Sequence, residues 1–139
     1  MFKLLRIVGA NNSAPEIITV NAPYATAVHA GNIYYLSNGS VTCDRTSEPV
    51  RFVSLESLDE NHNQKKLHGF LVTPGMIFEA DFVGDIANMF VSEPFSFYRN
   101  DVGDIEAICI PSDGDGNAEG IIYSREGSAR ANKLQVLFT

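Results

Sequence analysis

The chain has 139 residues, 45% apolar and 19% charged, with seventeen acidic side chains against ten Lys and Arg and a formal net charge of −7. That balance belongs to a folded globular chain and excludes a disordered or collagenous one. No apolar run reaches the ~20 residues of a membrane-crossing helix, Met1–Val8 is too short and too interrupted by charge for a secretory signal, and the acidic surplus argues against nucleic acid, whose phosphates are held mainly by Lys and Arg.

The predicted elements follow the period of two that marks strands, and helical spacing is nearly absent. Phe2–Val8 is apolar on both sides and reads as a buried or interfacial strand, followed by Asn/Ser/Pro punctuation at Asn11–Pro15. Asn38-Gly39 stands between Gly31–Ser37 and Ser40–Cys43. A two-residue Asn-Gly loop suits a type I′ turn, which needs positive φ at both positions, so a hairpin is expected here. In Gly31–Ser37, Tyr34 and Tyr35 fall on opposite strand faces, which places at least one of them at a rim or contact. Strands are expected at Val50–Leu55 and His68–Val72, separated by a polar loop over Leu58–Lys66 with room for a short helical turn. Thr73-Pro74-Gly75 has the residues of a type II turn. It leads into Met76–Val83, where Met76, Phe78, Ala80 and Phe82 alternate with Ile77, Glu79, Asp81 and Val83.

Gly84–Asn88, running into Met89-Phe90-Val91, reads as one turn of helix. Glu93–Tyr98 is aromatic and reads as irregular. Ile105–Ile110 is β-like and stops at Pro111, and 111–117 is an acidic, mobile loop between two strands. At the end, Leu134, Val136 and Phe138 alternate with Lys133, Gln135, Leu137 and Thr139 as a last strand. Nine or ten short strands without a linker or repeat predict an all-β fold. The expected form is one domain over 1–139, a barrel or sandwich of short antiparallel strands with irregular loops.

Charge is unevenly distributed. Residues 1–78 are balanced, Glu79–Glu119 holds ten acids and one base, Arg99, and 120–139 carries a surplus of two positive charges. Such a block either steers a basic partner or simply solvates a loop face. Cys43 and Cys109 lie in separate apolar segments without Cys-x-x-Cys spacing. They read as two buried thiols in a protein made in a reducing cytoplasm.

Candidate chemistry is sparse. Asp113-Gly114-Asp115-Gly116-Asn117-Ala118-Glu119 resembles the front of a calcium loop. It has Ala118 where the loop needs Gly and Ser124 where it needs a bidentate acid. His29, His62 and His68 are too widely spaced for a zinc pair, and Lys65 and Lys66 intervene. Ser40 and Ser128 neighbour glycines without forming a nucleophile elbow, and Asp101 and Asp104 are two acids in an acidic loop. No catalytic, cofactor or metal residue is assigned, and no enzyme is expected. Phe90, Phe95, Phe97 and Tyr98 are either core beneath an irregular loop or an apolar patch completed by another subunit.

Through Ala30-Gly31-Asn32-Ile33-Tyr34-Tyr35-Leu36-Ser37-Asn38-Gly39 and Gly69-Phe70-Leu71-Val72-Thr73-Pro74-Gly75-Met76-Ile77-Phe78-Glu79, the chain resembles the small β-rich decoration (cement) proteins on the heads of tailed bacteriophages. The resemblance lies in size and β-turn grammar over most of the chain. It implies an all-β virion protein on the capsid exterior, made in the host cytoplasm. It also implies binding to the major capsid protein, stabilisation of the expanded shell, and homo-oligomers that are often trimers. The alternatives are a tail or neck component on the same scaffold, and a cytoplasmic ligand-binding β-barrel, which would need a deep apolar pocket.

Overall fold

The computed structural model describes residues 1–8, 14–126 and 132–139. The fold is all-β, with eleven strands and two single-turn 3-10 helices among those residues. The strands are β1 (Phe2–Ile7), β2 (Ile18–Asn21), β3 (Ile33–Ser37), β4 (Ser40–Thr42), β5 (Arg51–Ser54), β6 (Lys66–Leu71), β7 (Met76–Asp81), β8 (Pro94–Arg99), β9 (Ile105–Cys109), β10 (Gly120–Ser124) and β11 (Lys133–Phe138). They fall into two compact units, one of residues 1–13 with 73–139, the other of residues 14–72.

The unit of residues 14–72 is a closed five-stranded barrel. β3 pairs with β4, β4 with β2, β2 with β6, β6 with β5, and β5 returns to β3. Every pairing is antiparallel except β2–β4, which is parallel and touches at the single pair Asn21↔Ser40. The β3–β4 hairpin turns on Asn38 (φ 52°) and Gly39 (φ 77°), both in the left-handed region that a type I′ turn requires. The barrel interior holds Val20, Val28, Tyr34, Val41, Phe52 and Leu67. The Tyr34 hydroxyl accepts the His29 N–H at 2.9 Å, so its polar end is satisfied beside the core. Tyr35 is 0% exposed and Tyr34 1%. The expected rim tyrosine is therefore absent, because both faces of this strand are covered and alternation detects only half-buried strands.

In the other unit the order is β1-β7-β11-β10-β8-β9, and β9 returns to the end of β7 through a parallel bridge, Phe82↔Ile108. The Val83 N–H donates to the Ile108 carbonyl at 2.9 Å, which closes the circuit. Strict alternation makes β11 bury Leu134, Val136 and Phe138 and leave Lys133, Gln135 and Leu137 half-buried. Glu93–Tyr98 is not irregular, since Pro94–Arg99 is the strand β8. Its first half pairs with β10 and its second with β9. Pro94 is tolerated because it opens the strand. Phe95 and Phe97 point inward with Phe2, Phe78 and Phe138, all of them 3% exposed or less. Phe138 makes edge-to-face contacts with Phe78 and Phe95, each at 5.3 Å between centroids. Phe2 meets Phe97 in the same way at 5.9 Å.

Local punctuation behaves as its residues dictate. At Thr73–Met76 the Met76 N–H donates to the Thr73 carbonyl at 3.2 Å and Gly75 has φ 92°, the positive value a type II turn needs. The helical turn expected near Gly84–Asn88 is a 3-10 turn at Ile86–Asn88, capped by the Asp85 carboxylate, which accepts the Ala87 N–H at 2.9 Å. In Leu58–Lys66 no helix forms. Leu58 instead makes an isolated bridge with Val28. Part of the Asn11–Pro15 loop, residues 11–13, lies outside the described residues, as does Ser128.

Candidate functional site

The acidic block Glu79–Glu119 lies within the unit of residues 1–13 and 73–139, and the fold sorts its ten acids. Glu79 and Asp81 are half-buried on β7, where Glu79 lies opposite Lys3 of β1 and Gln135 of β11, and Asp81 opposite Lys133. Asp81 accepts hydrogen bonds from the Lys133 ammonium and from the Met1 amino group. Burial pushes the Asp81 carboxyl upward, but those two cationic donors outweigh it and hold it below its ordinary value. Asp104 (8% exposed) and Glu119 (1% exposed) are buried. Asp85, Glu93, Asp101, Glu106, Asp113 and Asp115 remain as exposed negative charges.

The same stretch of sequence carries exposed apolar side chains, on turns at the two ends of β8. Phe90 is 55% exposed and Val91 51%, on the turn where the Glu93 N–H donates to the Phe90 carbonyl at 3.1 Å. That turn is tied down because the Ser92 N–H donates to Ile122 of β10 at 2.8 Å. Val102 is 80% exposed at the tip of the β8–β9 turn. The Asn100 side chain braces this tip by accepting the N–H groups of Val102 at 3.1 Å and Asp104 at 2.9 Å. Both turns are thus fixed by hydrogen bonds while their apolar side chains face outward. Phe90, Phe95, Phe97 and Tyr98, adjacent in sequence, do not share one environment. The structure divides them: Phe95 and Phe97 are core, Tyr98 is half-buried and Phe90 is exposed.

The remaining candidates are dispersed. Within 111–119, the Asp115 carboxylate accepts the Asn117 N–H at 2.9 Å, and the Ser96 hydroxyl of β8 donates to the Asn117 carbonyl. Gly114 lies so close to β8 that an added Cβ would be 2.7 Å from the Phe97 carbonyl oxygen, so the loop folds onto the strand. His62 Nε2 lies 2.8 Å from the Thr26 carbonyl, and His68 Nδ1 lies 3.2 Å from Glu56 Oε1. The Glu56 carboxyl is held below its usual value, chiefly by the backbone N–H of His68. Among the described residues no three His, Cys, Asp or Glu side chains gather as a metal site. Cys43 and Cys109 are not bonded to each other, and Cys43 is half-buried while Cys109 is buried. Burial, then the charges of Asp113 and Asp115, push the Cys109 thiol up to about 11.

No protein-family model matches the chain, and no curated protein or solved structure matches it significantly.

Proposed function

We propose that the protein is a virion structural protein that decorates the outside of a tailed-phage head. In this reading it binds the major capsid protein, as a homo-oligomer, and stabilises the expanded shell. One observation carries this reading: braced turns at the two ends of β8 hold Phe90, Val91 and Val102 exposed within an acidic block that leaves six carboxylates exposed, in a unit whose interior is filled by phenylalanine rings. Exposed apolar anchors held on braced turns supply affinity in a protein-binding surface, and a one-signed charge supplies orientation. A side-chain-filled interior favours this over the ligand-binding barrel, which needs a cavity with a few convergent polar groups. Repetition over a shell turns a modest contact into a stable coat, and sites complete only in the expanded state make binding selective for that state.

The test is co-sedimentation of the purified chain with expanded heads that lack it. Saturable binding to expanded but not unexpanded heads, weakened by salt and by Phe90→Asp, is the expected result. Absence of association with expanded heads overturns the proposal, and recovery of the protein on tails or necks replaces it with the tail or neck alternative.

A further inference from the structure

The Asn38-Gly39 turn has a chemical property that neither the fold nor the proposed function uses. Both residues are exposed, and among the described residues no hydrogen bond holds the Asn38 carboxamide or the Gly39 N–H. Gly39 has no side chain to shield its nitrogen. Opening the turn itself breaks the end pair Ser37↔Ser40 and the single β2–β4 pair Asn21↔Ser40, while Leu36↔Val41 and Tyr35↔Thr42 can stay paired. We infer that Asn38 is a site of spontaneous covalent modification, converting through a cyclic imide to aspartate and isoaspartate.

The Gly39 nitrogen attacks Asn38 Cγ, forming the ring C–N bond. The Cγ–Nδ2 bond breaks, and the Nδ2 group leaves as ammonia, taking the proton from the Gly39 nitrogen. Water then opens the five-membered ring. Cleavage of the Cγ–N bond restores a normal backbone with aspartate, and cleavage at the Asn38 backbone carbonyl gives isoaspartate. No oxidant or reductant is needed, and solvent water is the only co-reactant. The ring includes the Asn38 Cα–C bond, and closing it needs a rotation about that bond that the left-handed turn conformation does not provide, so the reaction runs from the opened turn.

The two products differ in consequence. Aspartate keeps the turn, because Asp-Gly also satisfies the positive-φ requirement. Isoaspartate adds a methylene to the main chain inside a two-residue loop whose register is the pair Ser37↔Ser40. It also displaces the Gly39 carbonyl, which accepts the Asn21 N–H at 2.8 Å and is the bond beside the lone β2–β4 pair. Closure of the barrel of residues 14–72 therefore depends on a linkage that ages.

The test is incubation of the full chain in warm, mildly alkaline buffer, followed by peptide mass spectrometry and urea unfolding. The expected result is a gain of one mass unit at Asn38 ahead of every other asparagine, faster in urea than in buffer, with an isoaspartyl signature. The aged protein should unfold at lower urea, while Asn38→Asp stays near the parent, and Asn38→Gly keeps the turn but gains no mass there. Earlier conversion at another asparagine overturns the inference, as does an Asn38 that stays unchanged in buffer while other sites convert. An isoaspartyl chain with an unaltered urea midpoint overturns the structural consequence.

Discussion

Gly69→Ala tests how the barrel of residues 14–72 is packed. A Cβ on Gly69 would lie 2.1 Å from the Val53 carbonyl oxygen and 2.3 Å and 2.8 Å from Cζ and Cε2 of Phe52. Rotating the Phe52 ring relieves only part of this, because the nearest atom belongs to the backbone. Nor can β6 withdraw, since Gly69 is paired on both sides, with Ile18 of β2 and Ser54 of β5. Forcing atoms into a packed core costs about 1–3 kcal/mol, and a backbone clash with both edges paired belongs at the upper end. About 3 kcal/mol corresponds to a fall of roughly 10 °C in Tm for a chain of this size. Gly103→Ala is the control: nothing lies within 4 Å of its added Cβ, but its φ is +88°. It should cost about 1 kcal/mol, from backbone conformation alone. Urea and thermal unfolding of the two variants beside the parent provide the comparison. A Gly69→Ala protein within about 0.5 kcal/mol of the parent, the range of inert surface substitutions, would refute the packing argument.

Three further outcomes follow from the other unit. Phe138→Ala, which removes the ring that meets Phe78, Phe95 and Phe97, should cost about 4 kcal/mol in urea unfolding; a loss below about 1 kcal/mol would show that the interior is not closely filled. Asp81 has a folded pKa below its unfolded value, so its contribution is present above the ordinary aspartate pKa and is lost as pH falls through the lowered one. Asp81→Asn should therefore lower stability at neutral pH and flatten its decline in acid, and an unchanged acid limb would contradict the role given to Lys133 and the Met1 amine. Cys109, with its thiol pushed up to about 11, should resist a thiol reagent at mildly alkaline pH until the protein unfolds, whereas half-buried Cys43 reacts first; equal labelling rates in the native protein would count against this.

Legibility in the sequence tracked how local the physical signal was. The Asn38-Gly39 hairpin was readable because its turn demands two positive φ values that few residues accept, and β11 because one of its faces is buried and the other is not. β8 was hidden by Pro94 and by the adjacent aromatic Tyr98, which masked the alternation of Phe95 and Phe97. Tyr34 and Tyr35 misled for the opposite reason, since burial on both faces erases alternation. The boundaries of the two compact units, between 13 and 14 and between 72 and 73, carry no Gly/Ser-rich run in the sequence that would mark them. The acidic block was visible as composition. Its division into six outward charges, two carboxylates beside Lys3 and Lys133, and two buried ones depends on strand register, which no local run of residues encodes.

The most direct measurement of the central claim is cryo-imaging of virions that carry this chain, with the protein labelled. Density for it is expected on the outer surface of the expanded head, with the Phe90–Val91 turn against the major capsid protein. Label confined to the tail or neck, or absent from the particle, would contradict it.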